Sequence, residues 1–252
     1  MIEAAKEVER ITDFIKNYFT NQKLGGIIIG LSGGKDSAVA TALFVKALGK
    51  ENVIGVTIPC HSNSKDEKDA EIIAKHYGIK FIKIDITNTF DSLTKEIKKL
   101  EDFTISEDSE INLKPRLRMS TLYYLAQMYT KKYKRTYIVS GNSNKCEEYV
   151  GYFTKGGDSV SDIKILADLT VEEIINIGKY LQVPKEILYK TPSDGLSNKS
   201  DEEKLGVTYE EITKVINHEK IDKITQEKIE TLHKNSQHKF KIPTYYKENN
   251  KK

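Results

Sequence analysis

The sequence predicts an α/β fold of one domain: a doubly wound parallel sheet with helices on both faces. Three observations carry this. Short, wholly apolar, β-branched runs alternate with stretches of helical period, glycines close the helical stretches, and 252 residues suffice for one large core without making two the default.

The elements follow in order. Val8, Ile11, Ile15 and Phe19 recur at helical spacing, so the first twenty residues read as an amphipathic helix. Gly25-Gly26 ends that pattern. Ile27-Ile28-Ile29-Gly30-Leu31 then reads as a strand buried on both faces. A helix over 38–48 closed by Gly49, a strand over 53–58, a helix over 65–77 stopped by Gly78, and a strand over 80–84 continue the alternation. Residues 87–100 read as a helix, whereas 101–112 are polar, acid-rich and aperiodic and read as an exposed loop. A long helical pattern over 117–133 precedes a strand over 136–140, and 141–162 is polar and irregular enough to read as a functional loop. Thr170-Val171-Glu172-Glu173 has capping-box spacing and opens a helix that runs to Leu181 before Pro184. Further helices are expected over 209–216 and 220–232, ahead of a basic tail.

Composition removes several classes. Lys and Arg number 40 against 37 Asp and Glu, spread along the chain without a basic arm, so no nucleic acid partner is expected. No apolar run approaches the roughly 20 residues that cross a bilayer, and no membrane partner is expected. Cys60 and Cys146 stand far apart without metal-ligand spacing, which favours reduced thiols and a cytoplasmic location.

The chemistry starts at Gly30-Leu31-Ser32-Gly33-Gly34-Lys35-Asp36-Ser37. This stretch leaves a buried strand and enters a helix, where backbone N–H groups converge and the helix dipole favours an anion. Phosphate is the natural ligand. The glycines permit close backbone approach, Ser32 and Ser37 add hydroxyls, and Asp36 offers an oxygen for Mg²⁺. The competing reading is a Gly-Gly turn that merely punctuates strand and helix. Arg116 and Arg118 sit at the mouth of a helix, and guanidinium groups there suit phosphates or flat rings. Gly151 to Asp158 and Asp162 combine glycines, aromatics, Lys155 and carboxylates downstream of Glu147, a mixture that suits a charged aromatic ligand. An ordinary polar loop is the alternative there.

The Ser-Gly-Gly-Lys-Asp-Ser element resembles the signature of the N-type ATP pyrophosphatases, a Rossmann-like group that splits ATP between the α- and β-phosphates. With Gly151 to Asp162, Pro192-Ser193-Asp194-Gly195-Leu196, Ser200-Asp201-Glu202, Leu205-Gly206-Val207-Thr208-Tyr209 and Ser236 to Pro243, the chain is similar to ammonia-dependent NAD⁺ synthetases from its first helix to Pro243. That resemblance implies amidation of deamido-NAD⁺ by ammonia through an NAD-adenylate, with ATP as co-substrate and AMP and pyrophosphate as products.

By the resemblance, Gly30 to Ser37, Asn142 and Ser193 contact ATP, and Asp36 and Glu147 hold Mg²⁺. Arg116, Lys155, Asp162, His238 and Lys239 contact deamido-NAD⁺, and Asp36, Glu147 and Lys155 form the catalytic set. The family is homodimeric with substrate at the interface, which offers the stripe of the first helix and the long helix after Arg118 as contact surfaces. Residues 1–252 are expected to form a single synthetase domain without a glutaminase domain, so that free ammonia or a separate donor protein supplies the nitrogen.

Several positions depart from the family pattern, among them 128–135, Ser159-Val160-Ser161 and Asp194, and two bear on the ATP site. Asn142 stands where a threonine is usual, and Val171 where a lysine is common. These leave open a related enzyme that adenylates another carboxylate or a transfer-RNA base, and a non-catalytic nucleotide-binding module. Retention of Asp36 and Glu147 speaks for catalysis.

Overall fold

The computed structural model describes residues 3–100, 106–190, 200–241 and 243. The first half is the predicted alternation. Helix α1 (Ala4–Asn21) leads to β1 (Leu24–Gly30), α2 (Lys35–Leu48), β2 (Val53–Thr57), α3 (Ser64–Tyr77), β3 (Lys80–Lys83) and α4 (Thr87–Ile97). Gly49 ends α2 at φ 82° and Gly78 ends α3 at φ 63°, where a side chain is disfavoured. At the start of α3 the Asn63 side chain accepts from the Lys65 N–H at 3.0 Å.

Helix α5 (Glu107–Tyr133) corrects the expected 101–112 loop from Glu107 onward; 101–105 lie outside the described residues. The aperiodic stretch is helical because its polar residues find tertiary partners. Ser106 caps it by accepting from the Ser109 N–H, Lys98 pairs with Glu110 at 3.1 Å, and Thr154 donates to Asn112 at 2.7 Å. Pro115, normally a helix breaker, sits inside α5.

The chain continues through β4 (Thr136–Gly141), α6 (Lys145–Val150), β5 (Ile163–Lys164), α7 (Val171–Tyr180) and α8 (Lys185–Leu188). The irregular reading of 141–162 is therefore corrected at α6. Asn144 and Glu147 form a reciprocal capping box that supports a helix too short to show periodicity. The chain closes with α9 (Asp201–Leu205), α10 (Tyr209–Ile216) and α11 (Lys223–Ser236). The expected start at Lys220 shifts because Asp222 caps α11 by accepting from the Thr225 N–H.

All strand pairings are parallel, and the order is β3-β2-β1-β4-β5. Ile28 of β1 pairs with Ile54 of β2 and Val139 of β4, placing β1 at the centre. One face is covered by α1, α2, α3, α7 and α8, packed through Ile15, Leu43, Phe44, Ile73, Ile177 and Leu188. The other is covered by α4 and α5 through Phe90, Leu125, Ala126 and Tyr129. A third apolar cluster joins α6 to α9, α10 and α11 through Cys146, Val150, Leu205, Ile212 and Ile229.

The α1 stripe of Val8, Ile11, Ile15 and Phe19 is spent in the first of these cores. It is thus unavailable as a surface for a second subunit, contrary to expectation. The outer side of α5, by contrast, leaves Tyr124 66% and Met128 52% exposed.

Candidate active site

The order of the strands places a crevice between β1 and β4, where successive crossovers turn to opposite sides of the sheet. A cavity of about 500 Å³ opens at the carboxyl ends of these strands. Its floor is the turn from β1 into α2. Leu31 extends the sheet by donating its N–H to the Val56 carbonyl at 2.8 Å. Ser32 Oγ accepts from the Gly34 N–H and lies 3.2 Å from Ser37 Oγ, while Ser37 Oγ donates to the Gly34 carbonyl at 3.0 Å. Gly33 is required twice over. Its φ is 78°, and a Cβ there would lie 2.5 Å from the Asp66 carbonyl oxygen.

Asp36 opens α2, where a carboxylate is favoured by the helix dipole. Its Oδ2 lies 3.6 Å from Lys35 Nζ and accepts from Asn144 Nδ2 at 3.5 Å, whereas its buried Oδ1 has no hydrogen-bond partner. Glu147 faces it from α6, held by the Asn144 N–H at 3.0 Å. Burial pushes the Asp36 carboxyl upward, against the Lys35 charge. Burial and then the Asp36 charge push Glu147 well above the usual range. Two desolvated carboxyls with an orphaned oxygen are what a hard divalent cation would relieve. Among the described residues no three His, Cys, Asp or Glu side chains form a metal cluster. This pair fits Mg²⁺, which commonly takes one or two carboxylates and completes its shell with phosphate and water.

The remaining predicted residues divide. Gly30, Leu31, Ser32, Gly34, Lys35 and Ser37 line the cavity with Asp36, and so do Asn142, Glu147 and Lys239. The Asn142 amide donates to the Gly30 carbonyl at 3.1 Å and accepts from Ser140 Oγ at 3.0 Å, tying β4 to the phosphate loop. Lys239 donates to the carbonyls of Gly151 and Phe153, and its burial lowers the ammonium pKa. Arg116, Lys155 and His238 are joined outside the cavity lining. Arg116 Nε donates to the Lys155 carbonyl at 3.3 Å, and Lys155 Nζ donates to the His238 carbonyl at 2.8 Å.

Asp162 also lies outside the lining, exposed immediately before β5. Its carboxylate accepts from the Val139 N–H at 2.8 Å and from the Tyr123 hydroxyl at 3.1 Å. Ser193 lies outside the described residues. Val171 packs against the third apolar cluster, which accounts for an apolar residue there.

Three further lining residues gain specific partners in the structure; Arg118 and Asp201 stood in motifs that the sequence offered, whereas Lys190 escaped it. Arg118 anchors α5 to the end of β2 by donating to the Ile58 carbonyl at 3.0 Å and to Ser62 Oγ at 3.2 Å. Buried Asp201 accepts from the hydroxyls of Tyr152 at 3.2 Å and Tyr209 at 3.3 Å. Lys190 reaches the phosphate loop and two carboxylates of α3. Asn144, which donates to Asp36, also went unread, although its capping-box spacing to Glu147 is a readable signal.

A doubly wound sheet with a glycine-rich anion loop at the crevice, beside paired carboxylates, defines a nucleotide-binding α/β protein. Comparison with known proteins narrows this. A family model described as NAD synthase matches residues 7–250, and the chain belongs to that family. It is 40% identical to an NH(3)-dependent NAD(+) synthetase of Finegoldia magna over 239 residues, covering 94% of each chain. It is 41% identical to the one of Methanococcus aeolicus over 216 residues, 82% of this chain and 80% of that protein. Among solved structures, an NMN synthetase from Francisella tularensis superposes with a TM-score of 0.89 at 32% identity, covering 98% of this chain and 99% of that one. An NH3-dependent NAD synthetase from Campylobacter jejuni superposes at 0.79 with 28% identity, covering 98% and 100%.

Proposed function

We propose that this chain is a ligase that amidates deamido-NAD⁺ with ammonia at the expense of ATP. One observation carries the reading: in a member of the NAD synthase family, the anion loop and the Asp36–Glu147 pair with its orphaned oxygen share one cavity.

The nicotinate carboxylate is a poor acyl donor. Its oxygen attacks the α-phosphorus of ATP, the bond to the bridging oxygen breaks, and pyrophosphate leaves. The nitrogen lone pair of ammonia then attacks the acyl carbon, AMP departs with the bonding electrons, and a proton is lost to give the amide. The loop N–H groups and the hydroxyls of Ser32 and Ser37 receive phosphate oxygens, which is electrostatic work that needs no nucleophilic side chain. Asp36 and Glu147 would hold Mg²⁺, whose charge neutralises the leaving pyrophosphate. Lys155, with Arg116 and His238 on the rim, Asp162 and Lys239, forms the proposed contacts to the nicotinate substrate, and Asn142 and Ser193 add contacts to ATP.

A homodimer built on the outer side of α5, where Tyr124 and Met128 are exposed, belongs to the same reading. So does a cytoplasmic location. Purified protein given ATP, Mg²⁺, ammonium and deamido-NAD⁺ is expected to yield NAD⁺, AMP and pyrophosphate in equal amounts. ADP as the product, or no pyrophosphate with any acceptor, overturns the reading.

A second reading concerns the acceptor. The likeness to the Francisella tularensis NMN synthetase favours nicotinate mononucleotide as a substrate. The chemistry at the carboxylate is the same, and only the length of the substrate beyond the ribose phosphate differs. Comparing kcat/KM for the mononucleotide and the dinucleotide decides between them.

A further inference from the structure

Lys190, just after α8, is a cation in the cavity wall that has no part in the chemistry above. Its ammonium donates to Asp66 Oδ1 at 2.7 Å, to Asp69 Oδ2 at 2.5 Å and to the Gly33 carbonyl at 3.3 Å. All three of its hydrogens are thus engaged. The side chains are largely enclosed, at 18% exposure for Lys190, 23% for Asp66 and 12% for Asp69. Burial alone would pull the ammonium pKa down, but the hydrogen bonds and charges of the two aspartates outweigh it, and the group is held above the ordinary lysine range.

Two consequences follow for the phosphate loop. The Gly33–Gly34 peptide is planar and trans, so its carbonyl and N–H point to opposite sides. Holding the Gly33 carbonyl toward Lys190 therefore fixes the Gly34 N–H on the other side, where it meets Ser32 Oγ in the cavity. The second consequence is electrostatic. α3 packs so closely on Gly33 that Asp66 and Asp69 stand beside a loop meant for an anion. Without a cation between them, two enclosed carboxylates would repel the triphosphate.

We propose that Lys190 is a positioning residue for ATP: shared between the two α3 carboxylates beside the phosphate loop, it offsets one of their two charges and fixes the Gly33–Gly34 peptide that receives a phosphate. The proposal deepens the ATP-dependent reading above and rests on it.

The test is steady-state kinetics and ATP titration calorimetry on the full chain. K190M is expected to raise the ATP KM about tenfold or more, the scale of an unpaired enclosed carboxylate, with a smaller fall in kcat and little change in the KM of the nicotinate substrate. K190R, which keeps the charge, should stay within about threefold of wild type in ATP KM. The decisive variant is K190M/D66N/D69N, in which no enclosed charge is left unpaired. It should recover most of the ATP affinity lost in K190M, and it carries the test if K190M alone does not fold. An unchanged ATP KM in K190M, or a triple variant that folds yet stays as impaired as K190M, overturns the proposal. Failure of the functional reading looks different: wild type would release no pyrophosphate, while the calorimetric comparison of the variants would still read the Lys190 effect on ATP binding.

Discussion

At the residue scale the proposed site centres on the Asp36–Glu147 pair. Both carboxyls are raised by burial and Glu147 also by the Asp36 charge, so the folded chain holds protons there that an unfolded chain would release. For an acid raised in this way, the associated stability is fully present below the ordinary carboxylate range and is lost as pH rises through the raised values. In metal-free protein, thermal unfolding should therefore reveal falling stability from about pH 4 upward, by up to ~1.4 kcal/mol per pH unit for each group titrating. Adding Mg²⁺ should flatten that slope. D36N removes one of the facing charges and should unfold later than wild type in metal-free buffer at pH 8, by about 1 kcal/mol, while pyrophosphate release falls at least ~100-fold. A D36N protein that is less stable at pH 8 and still active would remove the pair from the site.

Asp36 was legible because it belongs to a local pattern, the glycine loop, and Glu147 through the family resemblance of the stretch around it. Lys190 was not, since its aspartate partners lie 124 and 121 residues away and no spacing rule connects them. Asp201 belonged to a motif that was read, but its role depends on two tyrosines converging from α10 and from the turn after α6.

At the scale of the elements, Glu147 has two duties in one short helix. It closes the capping box of α6 by accepting from the Asn144 N–H, and its carboxylate faces Asp36. The duties separate by substitution. Glutamine keeps an acceptor for the cap, so E147Q should unfold within about 1 kcal/mol of wild type yet lose metal-dependent turnover, whereas E147A should lose turnover and a further ~1 kcal/mol. Equal unfolding temperatures for the two variants would deny the capping role.

The phosphate turn is constrained in the same way. G33A meets both a left-handed φ and the Asp66 carbonyl, and it should cost roughly 1–3 kcal/mol and abolish ATP binding in a titration. Helix and strand periodicity located four of the five strands and most flanking helices, whereas the two-residue β5, the short α8, α6 and the start of α5 were hidden. α6 is too short to repeat, and the first turns of α5 are held by Lys98, Ser106 and Thr154 rather than by an apolar stripe.

At the scale of the whole molecule, ATP with Mg²⁺ bridges α2, β4 and α6 in the proposed complex, and should stabilise it by mass action. At 100 times its Kd the gain is ~2.7 kcal/mol, visible as a rise in unfolding temperature that D36N should not show. The exposed Tyr124 and Met128 give a separate expectation. If α5 pairs with a second copy, Y124E/M128K should shift the mass measured by light scattering from dimer to monomer. A monomeric wild type would dispose of that interface. The fold class was readable from alternation alone because a parallel sheet buried on both faces writes continuous apolar runs. Which side of the sheet each helix takes was not, since the runs are apolar toward both.

The third apolar cluster sets an order of events in the making of the protein. α6, which carries Glu147, is packed by α10 and α11 through Cys146, Val150, Ile212 and Ile229. A nascent chain leaving the ribosome exposes the phosphate loop first and the helices that seat Glu147 last. The residues proposed to grip phosphate are thus synthesised well before the helices that seat the second carboxylate of the pair.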